Sequence, residues 1–61
     1  MNKKIIIQIP CLNEESTIGK VISDLKKVIP SAKIIVYDNN STDKTIKEAK
    51  KHGVEVFLER K

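Results

Sequence analysis

A chain of 61 residues allows one domain near the lower size limit for a self-sufficient core, where roughly 60% of the unfolded surface becomes buried. With 39% hydrophobic residues, 33% charged residues, two glycines and two prolines, the composition excludes a disordered protein. Lysine and arginine exceed aspartate and glutamate by 12 to 8, for a net charge of +4; this favours phosphate-bearing ligands, but the lysines are dispersed and aromatic platforms are scarce, so nucleic-acid binding is not expected.

The chain opens with Met1-Asn2-Lys3-Lys4 and the apolar Ile5-Ile6-Ile7, superficially a signal peptide. Gln8 interrupts that run and Pro10 ends it, so it is too short for a signal segment or a membrane span. Ile5 to Ile9, β-branched apart from Gln8, reads instead as a buried parallel strand closed by Pro10. Cys11 is the single cysteine; it permits no intrachain disulfide, argues against a zinc site and suits a reduced, cytoplasmic setting. Asn13 is of the right type to cap a helix over 14–29 whose first turn carries Glu14 and Glu15. Ile18, Val21, Ile22, Leu25 and Ile29 recur at spacings of three and four, one apolar stripe, and Pro30 ends the helix.

A second strand is predicted over 33–37, where Ile34, Ile35, Val36 and Tyr37 suit a strand covered on both faces. Asn39 and Asn40 tolerate a tight turn. Ser41 or Thr42 then caps a helix over 42–52, with Asp43 in its first turn at the positive end of the dipole. The apolar stripe of this helix is thin, Ile46 and Ala49 helped by Thr45. Gly53 fits the left-handed position after a helix end, and His52 beside it reads as a surface or capping residue. A third strand over 54–58 completes βαβαβ: an α/β fold with a three-stranded parallel sheet in the order 3-2-1, half of a doubly wound nucleotide-binding fold.

Ligands of open α/β sheets sit at the carboxyl ends of the strands. Two loops open there, Pro10 to Glu15 and Asp38 to Asp43, on adjacent strands about 5 Å apart. Asn13, Glu14, Asp38 and Asn39 are thus placed to line one crevice, with amides and carboxylates that suit the NH and OH groups of a sugar or base edge. The alternative is that these residues only make turns and caps. Neither a G-x-G-x-x-G fingerprint nor a P-loop is present, and the one histidine lies far from either loop, so dinucleotide, NTPase and Ser/His/Asp readings fail.

In these two loops the sequence resembles the N-terminal part of family 2 glycosyltransferases of the GT-A fold. Ile9-Pro10-Cys11-Leu12-Asn13-Glu14-Glu15 is similar to the family's proline, two variable positions and Asn-Glu-Glu; Val36-Tyr37-Asp38-Asn39-Asn40-Ser41-Thr42-Asp43 is similar to its Asp-Asp-Gly-Ser-x-Asp stretch. The resemblance covers almost the whole chain and implies a site for the nucleoside of a UDP- or GDP-type nucleotide-sugar donor. Pro10 and Leu12 would frame the base or ribose, Glu14 would sit near the ribose, and Asp38 and Asn39 would meet the base edge. Asn39 stands where the family often has a second Asp, and Asn40 where Gly is usual.

The family's Asp-x-Asp motif, which binds Mg or Mn and the donor diphosphate, and its later carboxylate base do not occur in the sequence, and Asp38 and Asp43 do not reproduce that pair. The resemblance therefore implies a single incomplete glycosyltransferase domain over 1–61: a donor-binding segment, inactive in isolation, with the metal expected only where the Asp-x-Asp segment is present. A small non-catalytic module for nucleotides or a partner subunit is the alternative. A receiver-like domain is disfavoured, because Pro10-Cys11-Leu12 replaces the acidic pair expected after the first strand. An apolar patch around Ile5, Ile7 and Ile9 is expected on the face left open, favouring self-association or docking of a missing C-terminal half.

Overall fold

The computed structural model describes residues 4–59. Strand β1 (Ile6–Cys11), helix α1 (Ile18–Val28), strand β2 (Lys33–Asp38), helix α2 (Thr45–Lys51) and strand β3 (Glu55–Leu58) follow in the expected alternation. All strand pairs are parallel and β2 is central, with Ile9 opposite Val36 and Val36 opposite Val56. This is the α/β sheet predicted, in the order 3-2-1.

Period-two alternation along the strands decides what each face holds. Ile34, Val36 and Asp38 of β2 point to the helices and are buried, and Cys11 joins them from β1. The helices meet that face with Ile18 and Ile22 of α1 and with Thr45 and Ala49 of α2, each 0% exposed. Half-buried Ile7, Ile9, Leu25, Val54 and Val56 surround this core. Two successive crossovers of one hand put both helices on the same side of the sheet, and they touch: a Cβ on Gly19 of α1 would lie 2.7 Å from Nε2 of His52 at the end of α2.

The other face of the sheet is open, and its residues differ from those expected. Ile7 and Ile9 pack toward the helices; the open face carries Ile6, Gln8 and Pro10 of β1, Ile35 and Tyr37 of β2, and Phe57 of β3. Tyr37 and Phe57 stack there, ring centroids 5.7 Å apart. Ile6 is 52% exposed and Phe57 47%.

Both helices begin later than the sequence suggests. Asn13 and Glu14 lie outside α1, whose N-cap is Thr17; Ser41, Thr42 and Asp43 precede α2, whose N-cap is Lys44; neither cap makes a side-chain hydrogen bond. The expected capping residues have distant partners instead, described below. At the other ends the expectations hold: Ile29, before Pro30, leaves the helical region at φ −131° and ψ 75°, and Gly53 adopts φ 74°. Strand β1 also runs through Pro10 rather than stopping at it. The carbonyls of Ile5 and Cys11 accept N–H bonds from Lys33 and Asn39, so the odd positions face β2, and Pro10, at an even position of an edge strand, has its missing N–H on the unpaired side.

Candidate nucleotide-binding site

The loops after β1 and β2 lie together at the carboxyl edge of the sheet and are joined by hydrogen bonds. Asn13 N–H donates to Ser41 Oγ at 2.8 Å, Glu14 N–H to Thr45 Oγ1 at 2.7 Å and Glu15 N–H to Asp43 Oδ2 at 3.2 Å. In return Thr42 N–H donates to Asn13 Oδ1 at 2.8 Å. The Asn-Glu-Glu backbone is thus read by side chains of the Ser-Thr-Asp-x-Thr stretch. Asn13 bends at φ 51° and Asn40 at φ 67°, the left-handed region that asparagine enters more readily than most residues. Asn40 therefore supplies the conformation that glycine would supply at that position.

Asp38 differs from its expected role at a base edge. It is the last inward-facing residue of β2 and is 0% exposed, so its carboxylate faces the protein. Oδ2 accepts Ser41 N–H at 2.7 Å, Oδ1 accepts the Ser41 hydroxyl, and Cys11 Sγ donates to Oδ1 at 3.6 Å. A carboxylate offers acceptors only and so matches three converging donors. Burial, then the neighbouring Asp38 charge, pushes the Cys11 thiol up from 9.0 to about 11. Asp43 is also occupied: the Thr45 hydroxyl, then the N–H groups of Thr45 and Glu15, hold its carboxyl below the ordinary carboxylate range.

The surface that remains is a crevice of about 220 Å³ lined by Pro10, Cys11, Leu12, Glu14 and Asn39. Leu12 is 49% exposed and Asn39 is exposed, while Asn39 N–H extends the sheet by donating to Cys11 O at 2.8 Å. Pro10 and Asn39 also border a concavity of about 580 Å³ on the open face, with Gln8, Tyr37 and Glu59. Of the residues singled out in the sequence, Pro10, Leu12, Glu14 and Asn39 thus meet at one surface, while Asn13 and Asp38 stand behind it in the loop network. The sequence reading missed Ser41 and Thr45 as links between the loops. Ser three residues after Asp is the spacing of a side-chain-to-backbone turn, so the Asp38–Ser41 half of the network was readable.

Among the described residues, no group of three or more His, Cys, Asp or Glu side chains comes together to hold a metal ion. The carboxylates of Asp38 and Asp43, turned onto Ser41, Thr45 and Glu15, do not fit one. No helix among these residues is long and apolar enough to cross a membrane.

A parallel βαβαβ sheet whose first two carboxyl ends carry these motifs has the architecture of the N-terminal half of the GT-A fold, and sequence comparison agrees. Glycosyl transferase family 2 matches residues 6–61, and the chain belongs to that family. It is 52% identical over 52 residues to protein RfbJ of Shigella flexneri, covering 85% of this chain and 40% of that protein. Glucosyl-3-phosphoglycerate synthase of Petrotoga mobilis is 44% identical over 59 residues, covering 88% of this chain and 18% of that one. Among solved structures, the glucosyl-3-phosphoglycerate synthase of Mycobacterium tuberculosis, crystallised with Mn²⁺, UDP-glucose and phosphoglyceric acid, superposes with a TM-score of 0.82 at 34% identity, over 93% of this chain and 21% of that one. The same enzyme has been crystallised with Mg²⁺ and UDP. The chain thus spans well under half the length of each of these relatives.

Proposed function

We propose that this chain binds the nucleoside of a nucleotide-sugar donor, as one βαβαβ unit within a larger glycosyltransferase domain that transfers the sugar to an acceptor. The observation that carries the reading is the crevice itself: Pro10, Leu12, Glu14 and Asn39 from two separate motifs meet at the carboxyl ends of β1 and β2. Leu12 and Pro10 offer apolar surface to a base or ribose ring, the Glu14 carboxylate accepts from a ribose hydroxyl, and the Asn39 amide can both accept from and donate to a base edge. The related complexes with UDP and UDP-glucose favour a uridine nucleotide over a guanosine one. The carboxylates of Asp38 and Asp43 are turned onto the loop network, so this reading assigns the segment the nucleoside of the donor. The free, buried Cys11 supports a reduced, cytoplasmic setting.

Titration of the chain with UDP, GDP and ADP, followed by NMR, tests this. UDP is expected to bind with a dissociation constant on the order of 1 mM, about 4 kcal/mol, and to shift the amides of Leu12, Glu14 and Asn39. Identical flat responses to all three nucleotides would end the reading.

A further inference from the structure

Ser41 has one hydroxyl proton and gives it to Asp38, whose other oxygen holds the Ser41 N–H. The lone pairs of Oγ are thereby turned toward Asn13, whose N–H they accept at 2.8 Å, and Asn13 Oδ1 returns a bond to Thr42 N–H. Asp38 is 0% exposed, and its carboxylate is turned onto Ser41 and Cys11. Its network nevertheless ends on Asn13, between Leu12 and Glu14 of one crevice wall, and begins beside Asn39 of the other.

We propose that Asp38 and Ser41 are positioning residues for the nucleoside crevice: the buried carboxylate fixes the Ser41 hydroxyl, the hydroxyl fixes the Asn13 backbone, and the separation of Leu12 and Glu14 from Asn39 is set before a nucleotide arrives. The inference rests on the donor-binding reading above and assigns the crevice its preorganisation, which lowers the ordering cost of binding.

The test compares Ser41→Ala, which removes the link, with Ser41→Thr, which keeps a hydroxyl. Asn13→Gly and Asn13→Asp form a second pair: glycine keeps the positive φ and loses the acceptor for Thr42, whereas aspartate keeps both. UDP affinity is expected to fall about tenfold in Ser41→Ala and in Asn13→Gly and to return to within about twofold of the parent in Ser41→Thr and Asn13→Asp. Melting temperatures of the Asn13 pair should agree, a split between binding and stability that a purely structural role would not give. Unchanged UDP affinity in folded Ser41→Ala and Asn13→Gly, or losses that the conservative partners do not rescue, would overturn the proposal. Amide exchange separates the two readings: at Asn13 it should speed up at least about tenfold in Ser41→Ala and recover in Ser41→Thr. A parent chain that binds no UDP removes the donor reading, and unaltered Asn13 exchange removes the positioning role.

Discussion

A buried thiol beside a buried carboxylate is the sharpest chemical feature at the residue scale. Cys11 is 3% exposed and its Sγ lies 3.6 Å from Asp38 Oδ1, with its pKa raised from 9.0 to about 11. Between those two values the folded state keeps a proton that the unfolded state releases. The contribution is therefore complete below pH 9 and is lost as pH rises toward 11, a fall on the order of 2 kcal/mol. Urea denaturation at pH 8 and at pH 11 should show that fall, and Cys11→Ala should reduce it; at pH 8 iodoacetamide should label Cys11 only after denaturant is added. Asp38 shows what could be read at this scale. It follows Ile34 and Val36 at intervals of two, so strand parity alone assigns it to the covered face. Its chemistry suggested a ligand group, but parity prevailed, and its neighbour Asn39, one position on, reached the crevice.

For whole elements, β-branched runs and apolar periodicity located the strands and helices, because those signals are local. The helix starts were not legible. Asn13, Ser41, Thr42 and Asp43 are capping types, and a local reading gives each a partner a few residues ahead. Ser41 also binds Asp38 and Asp43 also binds Thr45 close by, but the structure pairs all four across 28 or 29 positions, and nothing in either motif alone specifies the other. Thr45 makes the consequence measurable. It is 0% exposed and its Oγ1 accepts Glu14 N–H at 2.7 Å. Thr45→Val keeps the volume and removes the acceptor, so chemical denaturation should record a loss of about 1–3 kcal/mol. Thr45→Ser, which keeps the hydroxyl and loses a methyl group, should cost less. The opposite order would assign Thr45 to packing alone.

At the scale of the molecule, two layers leave one sheet face without a cover. Burial parity was again what the isoleucine run concealed: four isoleucines in five positions mark a strand but not which of them face inward. The patch is formed by Ile6, Ile35, Tyr37 and Phe57, and exposed apolar surface of this kind drives association. Sedimentation of the 61-residue chain should show concentration-dependent oligomers, reduced by Ile6→Lys and by Phe57→Lys, the second also giving up the stacking on Tyr37. Cooperative, strictly monomeric behaviour of the parent would contradict this.

The distance along the chain between the two linked loops also orders events in time. Parallel strands cannot pair through a tight turn; the crossover through α1 must close first, and only then do Ser41 and Thr45 reach Asn13 and Glu14. The ties are expected to form late, after the rate-limiting barrier. Substitutions at Ser41 and Thr45 should leave the folding limb of a chevron plot nearly unchanged and steepen loss of the native state through faster unfolding. On that outcome the crevice is the last part of the molecule to be made and the first to come apart.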